Sequence, residues 1–135
     1  MLNMILHGTR SGTPLVIAHG LFGSGRNWGV IARRLSDTRR VVTLDLRNHG
    51  SSPWLPDHSY AAMAADLSDV ISKIDEPIDL LGHSMGGKAS MLAALTNTPI
   101  RRLIVADIAP VAYAHTQQHL IDAMQSLPIA DLSSR

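Results

Sequence analysis

The sequence predicts an α/β domain built on a mostly parallel, doubly wound sheet. Two observations lead there. Short apolar runs near residues 15–18, 40–44, 78–81 and 100–106 alternate with stretches whose apolar residues recur at helical spacing. Each run also ends in His-Gly, Asp or Gly, so polar loops collect at the carboxyl edge of the sheet. Ligands bind at that edge in folds of this kind.

Composition narrows the class. The 135 residues suffice for one domain with a real core, and 45% hydrophobic residues exclude a disordered chain. A formal net charge of +1 points to no charged partner, so no nucleic acid is expected. Arg33, Arg34, Arg39 and Arg40 read as a solvated helix end. The absence of cysteine excludes disulfides, thiolate metal sites and a cysteine nucleophile. Met1–Leu6 is too short an apolar stretch for a secretory signal, and no run reaches membrane-spanning length. The expectation is a cytoplasmic protein without a membrane span; the oligomeric state is not specified.

In chain order, Met4–Leu6 reads as an edge strand and Leu15–Ala18 as a buried one. A loop with three glycines in six residues, Gly20–Gly25, follows, which requires close backbone approach or positive φ. Such a loop at a strand end can supply an oxyanion donor. Its spacing is not that of a dinucleotide fingerprint. A helix over 27–35 places Trp28, Ile31 and Leu35 on one side. The next strand ends at Asp45, which opens a polar loop to Pro53. An aspartate there is catalytic or, more often, ties down its own loop. Ser59 caps the clearest helix, with Tyr60, Met63, Ala64, Leu67, Val70, Ile71 and Ile74 on its apolar face. After the strand at 78–81 a helix runs through Lys88–Leu95, broken by Asn97 and Pro99. Beyond the strand at 100–106 and Asp107, a last helix is predicted over 112–127, with Tyr113, Leu120, Ile121, Met124 and Leu127 as its apolar side.

The junction Gly82-His83-Ser84-Met85-Gly86-Gly87 is the chemical centre of the chain. Its G-x-S-x-G spacing lies between a strand and a helix, the context of a nucleophile elbow. So sharp a turn forces its central residue into a strained conformation and leaves no room for side chains two positions before and after it. It lifts the Ser84 hydroxyl clear of the sheet and aims the unpaired first N–H groups of the helix at whatever that hydroxyl attacks. Gly82-x-x-x-x-Gly87-Lys88 also matches the start of a P-loop, but Ala89 stands where the magnesium-binding hydroxyl is needed, and Ser90 comes one residue late.

His19-Gly20-Leu21-Phe22-Gly23-Ser24, Asp45-Leu46-Arg47-Asn48-His49-Gly50-Ser51, the elbow, and Asp107-Ile108-Ala109-Pro110 occur in this order. Together they resemble the α/β-hydrolase superfamily, and within it the group of YbfF-type esterases and abhydrolase domain-containing protein 11. The resemblance implies an α/β-hydrolase fold and an esterase or thioesterase acting on a small acyl ester or thioester through an acyl-enzyme, with no metal and no organic cofactor. It implies Ser84 as nucleophile, Asp107 as the acid of the triad, and an oxyanion hole from the backbone N–H of Met85 and that of Leu21 or Phe22.

The resemblance also exposes a gap. In this fold the histidine follows the acid in chain order. His115 and His119 fall in the last predicted helix and read as surface residues. His19 and His83 belong to backbone-shaping motifs, with His83 pointing away from Ser84. His49 and His58 occupy a loop that approaches the site. The base is therefore expected beyond Arg135, and the chain is expected to be an N-terminal part of the fold, truncated before the C-terminal strands: residues 1–111 of the core and 112–135 opening a helical cap. The alternative is a hydrolase-fold protein that binds a ligand or partner without turnover.

Overall fold

The computed structural model describes residues 1–9, 11–96, 99–114 and 116–128. Five strands form one sheet in the order β1-β3-β2-β4-β5: β1 (Asn3–His7), β2 (Leu15–Ala18), β3 (Val41–Asp45), β4 (Ile78–His83) and β5 (Ile100–Ala106). The four strands from β2 onward are parallel. β1 is an edge strand, as its sequence predicts, but pairs antiparallel with β3. No helix separates β1 from β2, and without a crossover consecutive strands cannot both run parallel within one sheet.

Helices α1 (Gly29–Leu35), α2 (Tyr60–Ile74) and α3 (Met85–Ala94) provide the crossovers. From β2 the chain moves to one side to make β3, then across to the other to make β4. This reversal puts the topological switch point at the end of β2.

The two faces are covered unequally. On one, Met63, Leu67, Val70 and Ile71 of α2 and Ala89 and Ala93 of α3 pack against Val16, Leu44, Ile78 and Leu80. On the other, a smaller core joins Leu15, Ile17 and Val41 to Ala32 of α1, with Trp28, Leu35 and Leu81 at its margin. Ile31, expected on the buried stripe, is instead 46% exposed. A short 3-10 turn, Gly25–Trp28, precedes α1 and rotates its register, so that Gly29 and Ala32 face the sheet.

The last helix, α4, spans only Gln118–Gln125 rather than 112–127, and none of its residues is buried. The segment before it is held out of helix: the Tyr113 hydroxyl accepts a hydrogen bond from the Ala109 N–H at 3.0 Å, closing a turn around Pro110. Asn97 and His115 lie outside the described residues. No helix among the described residues is long and apolar enough to cross a membrane.

Two arginines expected in solvent are instead structural. Arg39 donates to Asp79 at 2.7 Å and Arg101 grips the same carboxylate with two bonds of 2.9 and 2.8 Å, while Arg40 pairs with Glu76. Asp79 is buried at the amino end of β4, and the Arg101 and then the Arg39 hydrogen bonds outweigh the burial cost and hold its pKa down at about 2. A carboxylate whose pKa is depressed by folding adds stability above its unfolded value, and that stability is lost as pH falls toward the folded value. Asp79→Asn should therefore cost on the order of 1–2 kcal/mol at neutral pH. In urea denaturation at stepped pH, the gap between variant and parent should close between pH 4 and pH 2.

Candidate active site

Strand register brings the candidate residues to one level. Ala18 pairs with Leu44 and with Gly82, and His83 pairs with Ala106. The loops that start at His19, Leu46, Ser84 and Asp107 therefore leave the sheet side by side. The Ser84 N–H donates to the Ala106 carbonyl at 3.0 Å, tying the elbow directly to the strand that carries Asp107.

Ser84 has φ 50° and ψ −117°, a conformation that costs a non-glycine residue on the order of 1–3 kcal/mol. Packing enforces it. A Cβ on Gly82 would stand 2.5 Å from both the Gly86 carbonyl oxygen and Ser90 Oγ. One on Gly86 would overlap the carbonyl oxygens of Ala18 and His19, and one on Gly87 would meet Ile108 Cγ2 at 2.6 Å. Ser90, the late hydroxyl of the apparent P-loop, is fully buried beneath the elbow. Lys88 does not reach toward a phosphate either: its Nζ donates to the Val111 carbonyl at 2.6 Å and lies 4.8 Å from the centre of the Tyr113 ring.

The glycine-rich loop owes its glycines to close approach. A Cβ on Gly20 would sit 2.8 Å from His83 Nδ1, and one on Gly25 3.0 Å from Thr43 Oγ1. The positive φ in this loop belongs instead to Phe22, at 61°.

Buried polar groups hold the loop from behind. Asp45 accepts the N–H groups of Gly25 at 2.7 Å and Ser51 at 2.9 Å, and the Asn3 side chain at 2.9 Å. Burial works to raise the Asp45 pKa, but these three donors outweigh it and pull the pKa below the ordinary value. Asp45 thus ties down its loops. His19 Nε2 accepts the Leu46 N–H at 3.0 Å, so the proton is on Nδ1, which donates to the Gly20 carbonyl at 2.7 Å. Burial lowers the pKa of His19, which favours this neutral form. Arg47 clamps the following loop to α2 through two bonds to Asp66, at 2.6 and 2.8 Å.

In front of these loops lies an open cleft of about 990 Å³. Ser84, Leu21, Phe22, Met85 and Asp107 all line it, so every site residue expected from the sequence is brought together. Sequence reasoning missed Tyr60, Lys88 and Tyr113 as cleft residues. Tyr60 shares the apolar spacing of its helix, yet as the first residue of α2 it sits at the cleft edge, 40% exposed.

The histidines divide sharply. His49 is buried with its ring centre 5.0 Å from that of His19, and His119 is exposed. His58 lines the cleft, and burial, then the nearby His49 and Arg47, lower its pKa. His83 also lines the cleft, with Nε2 3.8 Å from the exposed carboxylate of Asp107. Among the described residues, none of these rings is hydrogen-bonded to Ser84.

The elbow's steric logic is testable by a paired substitution. Gly86→Ala should lower stability by about 2 kcal/mol or more, because backbone carbonyls cannot yield to the new methyl. Gly29→Ala, whose Cβ would meet only Arg33 Nη1 at 3.5 Å, should leave stability unchanged or raise it. Urea midpoints of the two variants check both.

Comparison with known proteins shows the family and the fold. Residues 15–133 match the Alpha/beta hydrolase family. The chain is 44% identical to Esterase YbfF of Escherichia coli over 128 residues, covering 91% of this chain and 50% of that protein. It is 45% identical over 111 residues to the mouse sn-1-specific diacylglycerol lipase ABHD11, covering 79% of this chain and 36% of that one. A solved marine microorganism esterase superposes with a TM-score of 0.90 at 41% identity, over 98% of this chain and 54% of the other. The chain thus spans half or less of the length of the curated relatives it matches. By sequence match and by fold, it belongs to the α/β-hydrolase family.

Proposed function

We propose that this chain carries the nucleophile and oxyanion half of a serine hydrolase of carboxylic esters or thioesters. The observation that carries the reading is Ser84 itself, held at positive φ on a strand-to-helix turn and facing a cleft with the Gly20–Gly25 loop and Asp107. A protein that needed only a helix cap would have no reason to retain such strain. The names of the similar proteins, an esterase and a diacylglycerol lipase, support an ester substrate.

In this reading the Ser84 oxygen attacks the acyl carbon while a base removes its proton. The negative charge that develops on the carbonyl oxygen is stabilised by the N–H of Met85, at the positive end of α3, and by that of Leu21 or Phe22. The bond to the leaving oxygen or sulfur then breaks, and the alcohol or thiol departs with the proton. Water adds to the acyl-enzyme, the acid is released, and the Ser84 hydroxyl is restored. Asp107 orients the base. In this reading the base is a histidine beyond Arg135, as the chain order of this fold implies, with residues 1–111 forming core and 112–135 opening the cap.

A fluorophosphonate probe tests the assignment. In the full-length protein it should form one adduct, located at Ser84 by peptide mass spectrometry, and Ser84→Ala should abolish it. Labelling that persists in Ser84→Ala would overturn the reading.

A further inference from the structure

Lys88 gives the elbow its likeness to a P-loop, and the hydrolase chemistry does not use it. Its backbone N–H donates to the Ser84 carbonyl at 3.1 Å, so its side chain starts one helical turn from the nucleophile. Its ammonium donates to the Val111 carbonyl at 2.6 Å. It lies 4.8 Å from the centre of the Tyr113 ring and 5.8 Å from that of Tyr60 on α2. A cation donating to a carbonyl makes a charge-assisted hydrogen bond, and aromatic faces within about 6 Å strengthen its hold.

These contacts complete a ladder. The Ser84 N–H donates to the Ala106 carbonyl at 3.0 Å. Ile108 packs so closely on Gly87 that a Cβ there would stand 2.6 Å from its Cγ2. Lys88 then takes Val111. The elbow and its helix therefore grip the chain leaving β5 at residues 106, 108 and 111. The bond from the Ala109 N–H to the Tyr113 hydroxyl folds the end of that segment back on itself.

Asp107 lies inside the ladder. Its carboxylate is 86% exposed and stands 3.8 Å from His83 Nε2, so it has no packing of its own to fix it. Its backbone is at φ 59°, a conformation disfavoured for a non-glycine residue unless its surroundings impose it. The backbone on either side thus sets where the carboxylate points, and the outer hold on that backbone is Lys88.

We propose that Lys88 is a positioning residue: through Val111 it clamps the 107–113 segment to the nucleophile helix and so fixes Asp107 relative to Ser84. The inference rests on the hydrolase reading above, in which Asp107 is the acid. The clamp itself is complete within residues 60–113.

Hydrogen exchange of the full-length protein reads the clamp directly. Lys88→Met keeps the aliphatic stem and removes the donor; Lys88→Arg keeps a charged donor. Exchange at the Ala109 amide should quicken about tenfold or more in Lys88→Met and stay within about threefold of the parent in Lys88→Arg, with α2 unchanged in both. Parent exchange at Ala109 in Lys88→Met overturns the proposal. Fluorophosphonate labelling of Ser84 reads the consequence. Lys88→Met should slow it about tenfold or more, and Lys88→Arg should restore it to within about threefold. Asp107→Asn should also slow it, and adding Lys88→Met to that variant should slow it less than about twofold further, since a residue acting through Asp107 then has nothing left to position. Full additivity, or parent-rate labelling in Lys88→Met, overturns the proposal while leaving the hydrolase reading in place. Parent-rate labelling in Asp107→Asn overturns the assignment of the acid, and the proposal with it.

Discussion

The N-terminus of α3 is packed so tightly on the ends of β2 and β4 that no side chain fits between them. Gly82, Gly86 and Gly87 each lie where a methyl group would strike backbone or buried side chain. The helix must start directly above the sheet, and the chain reaches it only by turning Ser84 to positive φ. Two consequences follow from this one contact. The hydroxyl projects into the cleft, and the positive end of the helix faces the loop after β2, because Gly86 abuts the backbone of Ala18 and His19. The proposed nucleophile and oxyanion donors are thus set by backbone packing, which holds them more firmly than side-chain contacts would.

Behind the cleft, the loops are fixed by polar groups that a smaller protein would leave in water. His19 and Asp45 are buried, and each is engaged by backbone donors or acceptors from loops distant in sequence. Removing Asp45 would strand the N–H groups of Gly25 and Ser51, and removing His19 would strand the Leu46 N–H and the Gly20 carbonyl, at about 1–3 kcal/mol for each group left unpaired in the interior. Such anchoring makes the glycine-rich loop rigid before any ligand arrives, and rigidity is what electrostatic stabilisation of an oxyanion requires.

The two faces of the sheet differ in a way that bears on binding. α2 and α3 seal one face with a continuous apolar layer, whereas the core around α1 is a smaller cluster on β2 and β3. Leu81 is half-buried and its β5 neighbour Ile104 is 48% exposed on the other strands. α4 likewise presents Leu120 and Met124 to the surface, and Leu120 lines the cleft.

Much of the fold was legible in the sequence, because strand length, helical periodicity and glycine spacing are local properties. The strands at 15–18 and 100–106, the Ser59 cap with the helix behind it, and the elbow follow from residues within a few positions of each other. The candidate site was legible as motifs at strand ends, since a parallel sheet brings those ends to one edge. What the sequence could not decide depends on partners far along the chain. Arg39 and Arg40 look like solvent residues until β4 and the turn after α2 supply Asp79 and Glu76. The helix expected over 112–127 loses its first turns because Tyr113 bonds back to Ala109. Ile31 has the spacing of a core residue, yet a single 3-10 turn ahead of α1 rotates it out. By itself the sequence determined which residues are small, polar or apolar at each strand end; only the tertiary structure decided which cavity each one faces, because facing is set by register and helix rotation across the whole sheet.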